Sequence, residues 1–156
     1  LSDLGYRVRT GKLVWNQNKD LLSNTNKGNT TLIWSHNITR KGIELGNHER
    51  KPQFVKTNVY EQGPVIVTNR IIGQPHRGSL RAAIVPKTMK FVAENHVNVI
   101  YPPDRQLSIG FANRKISIEN LVEQLNAPKN SRVLFRLTGN TQISKNELEK
   151  LFPISA

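Results

Sequence analysis

Cysteine is absent from the 156 residues. Its absence excludes a disulfide framework and any zinc finger built on thiolates, and it fits an intracellular chain. Long apolar runs are missing too. None approaches the roughly 18 residues that a membrane helix needs, and the first residues lack the apolar stretch of a secretory signal. Aspartate is scarce, with Asp3, Asp20 and Asp104 alone, and the eight glutamates do not pair into an acid/base set. Glu49-Arg50-Lys51 matches the E-x-K half of a nuclease site, but no aspartate precedes it at a strand position, so it reads as an exposed charge run. His36, His48, His76 and His96 are not spaced with carboxylates as a metal site requires. The ten glycines form neither a Walker loop nor a dinucleotide fingerprint. Aromatic residues make up 6% of the chain, which leaves little for recognising single strands by stacking. This chain alone is therefore not expected to be an enzyme or to hold a metal or cofactor.

Positive charge is what the chain has in quantity. Lys and Arg number 23 against 11 acids, a net charge of +12, so a polyanion is the natural partner. Residues 1–78 carry twelve Lys and Arg against five acids, and residues 79–156 carry eleven against six. The charge is thus a property of the whole domain, with no basic tail supplying it. Such a distributed field suits a duplex lying across a surface. The length is that of one domain, residues 1–156, able to bury a continuous core. Without a membrane run or a secretory signal the chain is expected to be cytoplasmic, and because it begins at Leu1 rather than Met it is expected to be a piece of a longer protein.

The first two thirds read as short strands between polar turns: Tyr6-Arg-Val-Arg9, Lys12-Leu-Val-Trp15, Thr31-Leu-Ile-Trp34, Gln53-Phe-Val-Lys56, Pro64-Val-Ile-Val-Thr68 and Arg81-Ala-Ala-Ile-Val85. Phe91 to Ala93 and Val97-Asn-Val-Ile100 continue the pattern, while residues 23–30 contain no apolar side chain and read as an exposed loop. The tail changes period. Ile118, Leu121, Val122 and Leu125 form a helical stripe with Ser117 as N-cap and Pro128 beyond its end. Ser144 and Glu147 make a capping box, Ile143 and Leu148 a hydrophobic staple, and Pro153 ends that helix. An apolar segment at Phe135 and a polar loop, Thr138-Gly-Asn-Thr-Gln142, precede it. The expected fold class is α+β: a mainly β N-terminal body of short twisted strands with two or three C-terminal helices.

Asn numbers 17 and Gln 7, and such amides can pair with adenine N6 and N7 as Arg does with guanine O6 and N7. Most of these Asn residues belong in turns and caps, and those beside bases at strand ends are the informative ones. Six stretches occur in an order that resembles the C-terminal target recognition domain of the gamma-type N6-adenine DNA methyltransferases of type II restriction-modification systems, including those fused to an endonuclease. They are Arg9-Thr-Gly-Lys-Leu-Val-Trp15, Thr31-Leu-Ile-Trp-Ser-His-Asn37, Lys51-Pro-Gln-Phe-Val55, Val65-Ile-Val-Thr-Asn-Arg70, Glu94-Asn-His-Val-Asn-Val99, and Phe135 through Ser144 with the helix after it. The resemblance implies a target-recognition-domain-like fold that grips the major groove of double-stranded DNA, while a separate catalytic domain of the same chain flips out an adenine and methylates it. S-adenosylmethionine is implied for that domain and not for this fragment. Tyr101-Pro-Pro-Asp104 lacks the leading Asn and trailing aromatic of the Asn-Pro-Pro-Tyr-type motif, so methyl transfer is not expected here. After Arg70 the chain departs from the family's charged polar run with Ile71-Ile-Gly-Gln-Pro-His-Arg77.

The DNA-contacting residues expected from position and chemistry are headed by Arg70, at the end of an apolar strand, with Asn69, Gln74, His76 and Arg77 in the loop behind it. His36, Asn37, Arg40 and Lys41 follow a second strand. Arg7, Arg9 and Lys12 flank the Thr10-Gly11 turn and serve either as phosphate contacts or as a solvated face. His96 and Asn98 are as well suited to buried hydrogen bonds as to DNA, and the loop at 138–142 is expected to serve structure. Two readings of other classes stand beside this one: a stand-alone RNA- or ribosome-associated binding protein, and a scaffold joining methyltransferase subunits.

Overall fold

The computed structural model describes residues 1–46, 48–70, 79–103 and 116–155, and their fold is α+β. Its centre is an antiparallel four-stranded sheet in the order β1 (Arg7–Thr10), β11 (Val97–Tyr101), β8 (Val65–Asn69), β9 (Ala82–Val85). β8 reads Val-Ile-Val-Thr-Asn, and all five residues are buried, as a strand covered on both faces requires. Because side chains alternate, Val65 and Val67 join Val97, Val99, Ala83 and Val85 on one face. Ile66 joins Ile100 and Ala82 on the other.

The first face packs on a five-stranded sheet in the order β2 (Leu22–Ser23), β6 (Phe54–Val55), β3 (Thr30–Ile33), β10 (Lys90–Ala93), β7 (Glu61–Gln62). β3 and β10 run parallel and the other pairs antiparallel. Ile33, Phe91 and Ala93 fill the space between the sheets, with Ile38 and Ile43 from the hairpin of β4 (Ile38–Thr39) and β5 (Gly42–Ile43). Leu32, Trp34 and Val55 form a third cluster with Leu13, Trp15 and Val92. The second face of the central sheet takes three helices: α1 (Ile118–Asn126), α2 (Pro128–Thr138) and α3 (Lys145–Leu151). Leu121, Leu125, Leu134, Ile143 and Leu148 supply their side of that core.

Helix starts follow the sequence signals. The Ser117 side chain accepts from Asn120 N, and the Ser144/Glu147 box forms in both directions. Pro128, expected beyond a helix end, is the first residue of α2, where its missing N–H costs nothing. Phe135 is therefore helical and does not belong to a separate apolar segment, and Gly139 closes α2 in the left-handed conformation, φ 67°, its N–H donating to Phe135 O at 2.8 Å.

The strand expected at Lys12–Trp15 does not form. Leu13 makes one isolated bridge to Glu94, and Trp15 opens a 3-10 turn, Trp15–Gln17. Gly11 explains the departure: its N–H donates to Val97 O at 2.8 Å, and any Cβ there would overlap the Glu94 carbonyl. The chain crosses tightly over the β10–β11 turn and delivers Trp15 to the outer cluster.

Candidate nucleic-acid interface

The register brings several strand ends to one end of the sheets. β8 finishes at Asn69 opposite Val97, where β11 starts; Thr68 faces Ala82, where β9 starts. β3 finishes at Ile33 beside Ala93, the last residue of β10. Arg70, Arg81, His36 and the turn Glu94-Asn95-His96 consequently share this end. Arg70 N donates to His96 O at 3.0 Å, and its Nη1 to Asn95 O at 2.8 Å. Arg81 Nη2 reaches Ser35 O at 3.5 Å. Ile143 N donates to Arg70 O at 2.8 Å, which ties the 139–144 loop to the same place.

Arg70 and that loop line a cleft of about 500 Å³ with Asn140, Thr141, Gln142, Ser144 and Glu147. Glu147 is engaged within it, accepting from Ser144 N and from Asn140 Nδ2, both at 2.8 Å. The Ser144 backbone bond, ahead of any other cause, holds its carboxyl below the usual range. The loop is thus structural at Asn140, as expected, while the exposed side chains of Thr141 and Gln142 stand beside Arg70. A larger cleft of about 680 Å³ borders α1, and its lining contains one acid, Glu123, and one base, Lys129.

Across the same end runs a file of rings and cations. Lys19 Nζ lies 5.5 Å from the Trp15 ring, and Trp15 is 6.3 Å from Trp34. Trp34 stacks on His36 at 6.3 Å and 26°, and His36 meets His48 at 4.9 Å. Lys51 Nζ lies 5.7 Å from the Trp34 ring. Burial, then Lys51, His48 and Arg81, lower the His36 pKa. Trp34 is only 2% exposed, so the file is a wall and no platform for a base.

Among the expected residues, Arg70 and His36 lie at this end, and exposed Lys12 joins them through its neighbours: Leu13 N donates to Ala93 O at 3.3 Å, and Leu13 O accepts from Asn95 N at 2.9 Å. Asn37 and Asn69 do not belong to the surface; each is 1% exposed. Asn37 exchanges amide bonds with Gln53 and accepts from Trp34 N. Asn69 accepts from Arg81 N at 2.7 Å and donates to Ser79 O at 3.2 Å, which fixes the entry to β9. Arg40 and Lys41 are exposed at the tip of the β4–β5 hairpin, where the Thr39 hydroxyl accepts from Lys41 N and donates to Gly42 O. Arg7 pairs with Tyr101 at the opposite end of β11, and Arg9 lies 5.5 Å from the Tyr101 ring. Tyr101 in turn donates to Glu61, and burial, followed by that bond, raises its pKa. Gln74, His76 and Arg77 lie outside the described residues.

His96 bonds the buried Glu94 carboxylate at 2.8 Å while its side chain stays 41% exposed, and Asn98 is buried against Ile143 O. Sequence reasoning passed over Arg81, read only as a strand residue, and Lys51, read as part of a charge run. Their value comes from the fold, which places both near His36.

Five buried side-chain atoms have no hydrogen-bond partner among the described residues: His36 Nδ1, Thr68 Oγ1, Arg70 Nε, Arg81 Nε and Asn95 Oδ1. All belong to the strand ends and turns gathered here, and native chains rarely leave such atoms unpaired without a reason. The arrangement can take anionic and hydrogen-bonding groups. Among the described residues no three His, Asp or Glu side chains are grouped to hold a metal ion, and no helix is long and apolar enough to cross a membrane. Comparison of the sequence with protein-family models and with curated proteins finds no match.

Proposed function

We propose that this domain is the double-stranded DNA recognition module of a site-specific N6-adenine DNA methyltransferase, presenting the duplex to a separate catalytic domain that binds S-adenosylmethionine. The observation that carries the reading is the convergence, at one end of the sheets, of Arg70, Arg81, Lys12 and Lys51 with the exposed amide of Gln142 and with buried polar atoms that have no partner among the described residues. Guanidinium and amide groups read base edges in the major groove, and lysines hold phosphates. The net charge of +12 and the ordered set of six stretches support it from the sequence side. Those stretches are also neighbours in space: the first meets the fifth at Gly11 and Val97, the second meets the third at Asn37 and Gln53, and the fourth meets the sixth at Arg70 and Ile143.

Fluorescence anisotropy against duplex pools, single-stranded DNA and RNA tests this. Expected is a duplex preference that resolves to a defined sequence and falls steeply with salt. Arg70→Ala should weaken the specific complex by about 1–3 kcal/mol and relax one position of the site. Preference for single-stranded RNA would sink the proposal. Unchanged affinity and specificity in Arg70→Ala would remove Arg70 from the interface while leaving the module's role intact.

A further inference from the structure

His36 stands among bases. His48 lies 4.9 Å from it ring to ring, Lys51 Nζ lies over the Trp34 ring on which His36 stacks, and Arg81 Nη2 reaches the carbonyl of Ser35, its chain neighbour. His36 Nδ1 and Arg81 Nε are buried and have no hydrogen-bond partner among the described residues. His48 and Lys51 are exposed and form the solvent side of the cluster. The carboxylates of neighbouring segments are turned to other partners: Glu94 to His96, and Glu44 to the Thr39 hydroxyl at 3.3 Å. Glu49, next to His48 in sequence, is exposed.

Lys51 and Arg81 bring fixed positive charge to the two rings, no carboxylate among the described residues is turned toward them, and an anion at the exposed His48 and Lys51 side supplies the missing counter-charge. We propose that His36, His48, Lys51 and Arg81 form a seat for one phosphate group, filled in the DNA complex by a backbone phosphodiester. Only the source of the phosphate rests on the DNA reading; the seat follows from the geometry. Burial, and after it the bases named above, disfavour the charged form of His36, so an arriving phosphate draws a proton onto that ring. The seat and the Arg70 cleft lie at the same end of the sheets, an arrangement in which phosphate contact fixes register while Arg70 and Gln142 face base edges.

The test follows the His36 and His48 imidazole resonances of labelled protein during titration with inorganic phosphate, with a short duplex, and with chloride at matched ionic strength. Phosphate should shift both rings and raise the His36 titration midpoint, and chloride should not. Lys51→Gln and Arg81→Gln should each weaken phosphate binding by about tenfold or more. Lys51 is exposed, so its variant folds even if the Arg81 variant does not, and Lys87→Gln should change nothing. Rings unmoved by phosphate, or equal weakening in Lys87→Gln, would overturn the seat. Phosphate binding without duplex binding keeps the seat and removes the DNA reading. Duplex binding that leaves His36 unmoved does the reverse.

Discussion

Asn37 and Gln53 hold each other's amides in a buried exchange, Nδ2 to Oε1 at 3.1 Å and Nε2 to Oδ1 at 3.0 Å. Gln53 also donates to Leu32 O, Asn37 to Glu44 O, and Trp34 N and Gly46 N donate back. Two residues far apart in sequence thereby pin the end of β3 to the segment entering β6. Asn37→Ala would strand the Trp34 N–H and take one bond from each end of the Gln53 amide, and leaving a buried group unpaired costs about 1–3 kcal/mol. Urea unfolding should show a lower midpoint with an unchanged m-value, and a loss under about 0.5 kcal/mol would mean that solvent replaces the bonds freely. The neighbour His36 has the opposite character, its Nδ1 having no partner among the described residues. Adjacent polar residues of one motif thus divide into a saturated strut and a group with unused capacity. The division depends on Gln53 arriving from elsewhere in the chain, and for that reason the sequence could not assign Asn37.

At the scale of elements, the central sheet has two edges and the helical layer closes both. Val8 N donates to Glu149 Oε2 of α3 at 2.7 Å on the β1 side. On the β9 side the Asn126 amide copies a strand, accepting from Ala82 N and donating to Ala82 O, both at 2.9 Å. Open edges invite pairing with other chains, and these side chains occupy them. Asn126→Ala should cost about 1–3 kcal/mol through the two groups left unpaired at Ala82. Hydrogen exchange at the Ala82 amide should rise before global unfolding, and unchanged protection would sink the assignment. Most elements were legible because their signals are local: the β-branched run of β8, the stripe of α1, the Ser144-Glu147 box. The misreadings came where a local signal has two meanings. Proline both ends and starts helices, so Pro128 hid α2, and an apolar run such as Leu13 to Trp15 packs equally well as a crossing segment held by Gly11. For the candidate site, strand ends marked Arg70 and His36 correctly as neighbours of loops. That they face the same way as Arg81 depends on β3 running parallel to β10 and β8 antiparallel to β9, which no local pattern contains.

At the scale of the whole molecule, one property acts in opposite directions on folding and on binding. The chain carries +12 with its histidines neutral, and among the described residues no Lys or Arg lies within ion-pair distance of a carboxylate, the one such contact being that of the His96 ring with Glu94. Most cations therefore have no fixed counter-charge, and the compact state gathers them closer than the unfolded chain does. Self-repulsion of this kind weakens a fold, and the same field draws a polyanion. Salt separates the two effects. Between about 0.01 and 0.15 M the screening length falls from about 30 to 8 Å, short enough to uncouple charges across the sheets while hydrophobic layers are little affected. The melting temperature of the free domain should rise over this range, by about 2–4 °C for each kcal/mol of repulsion removed. Affinity for duplex DNA should fall over the same range as counter-ion release loses its drive. Replacing chloride with phosphate at equal ionic strength should raise the melting temperature further, since an ion bound to the folded state alone stabilises it by mass action. A melting temperature that stays flat or falls with salt would show that the charges are spread too widely to oppose folding. In that case the convergence at the Arg70 end would have to act through local hydrogen bonding, and the salt slope of binding would be shallow as well.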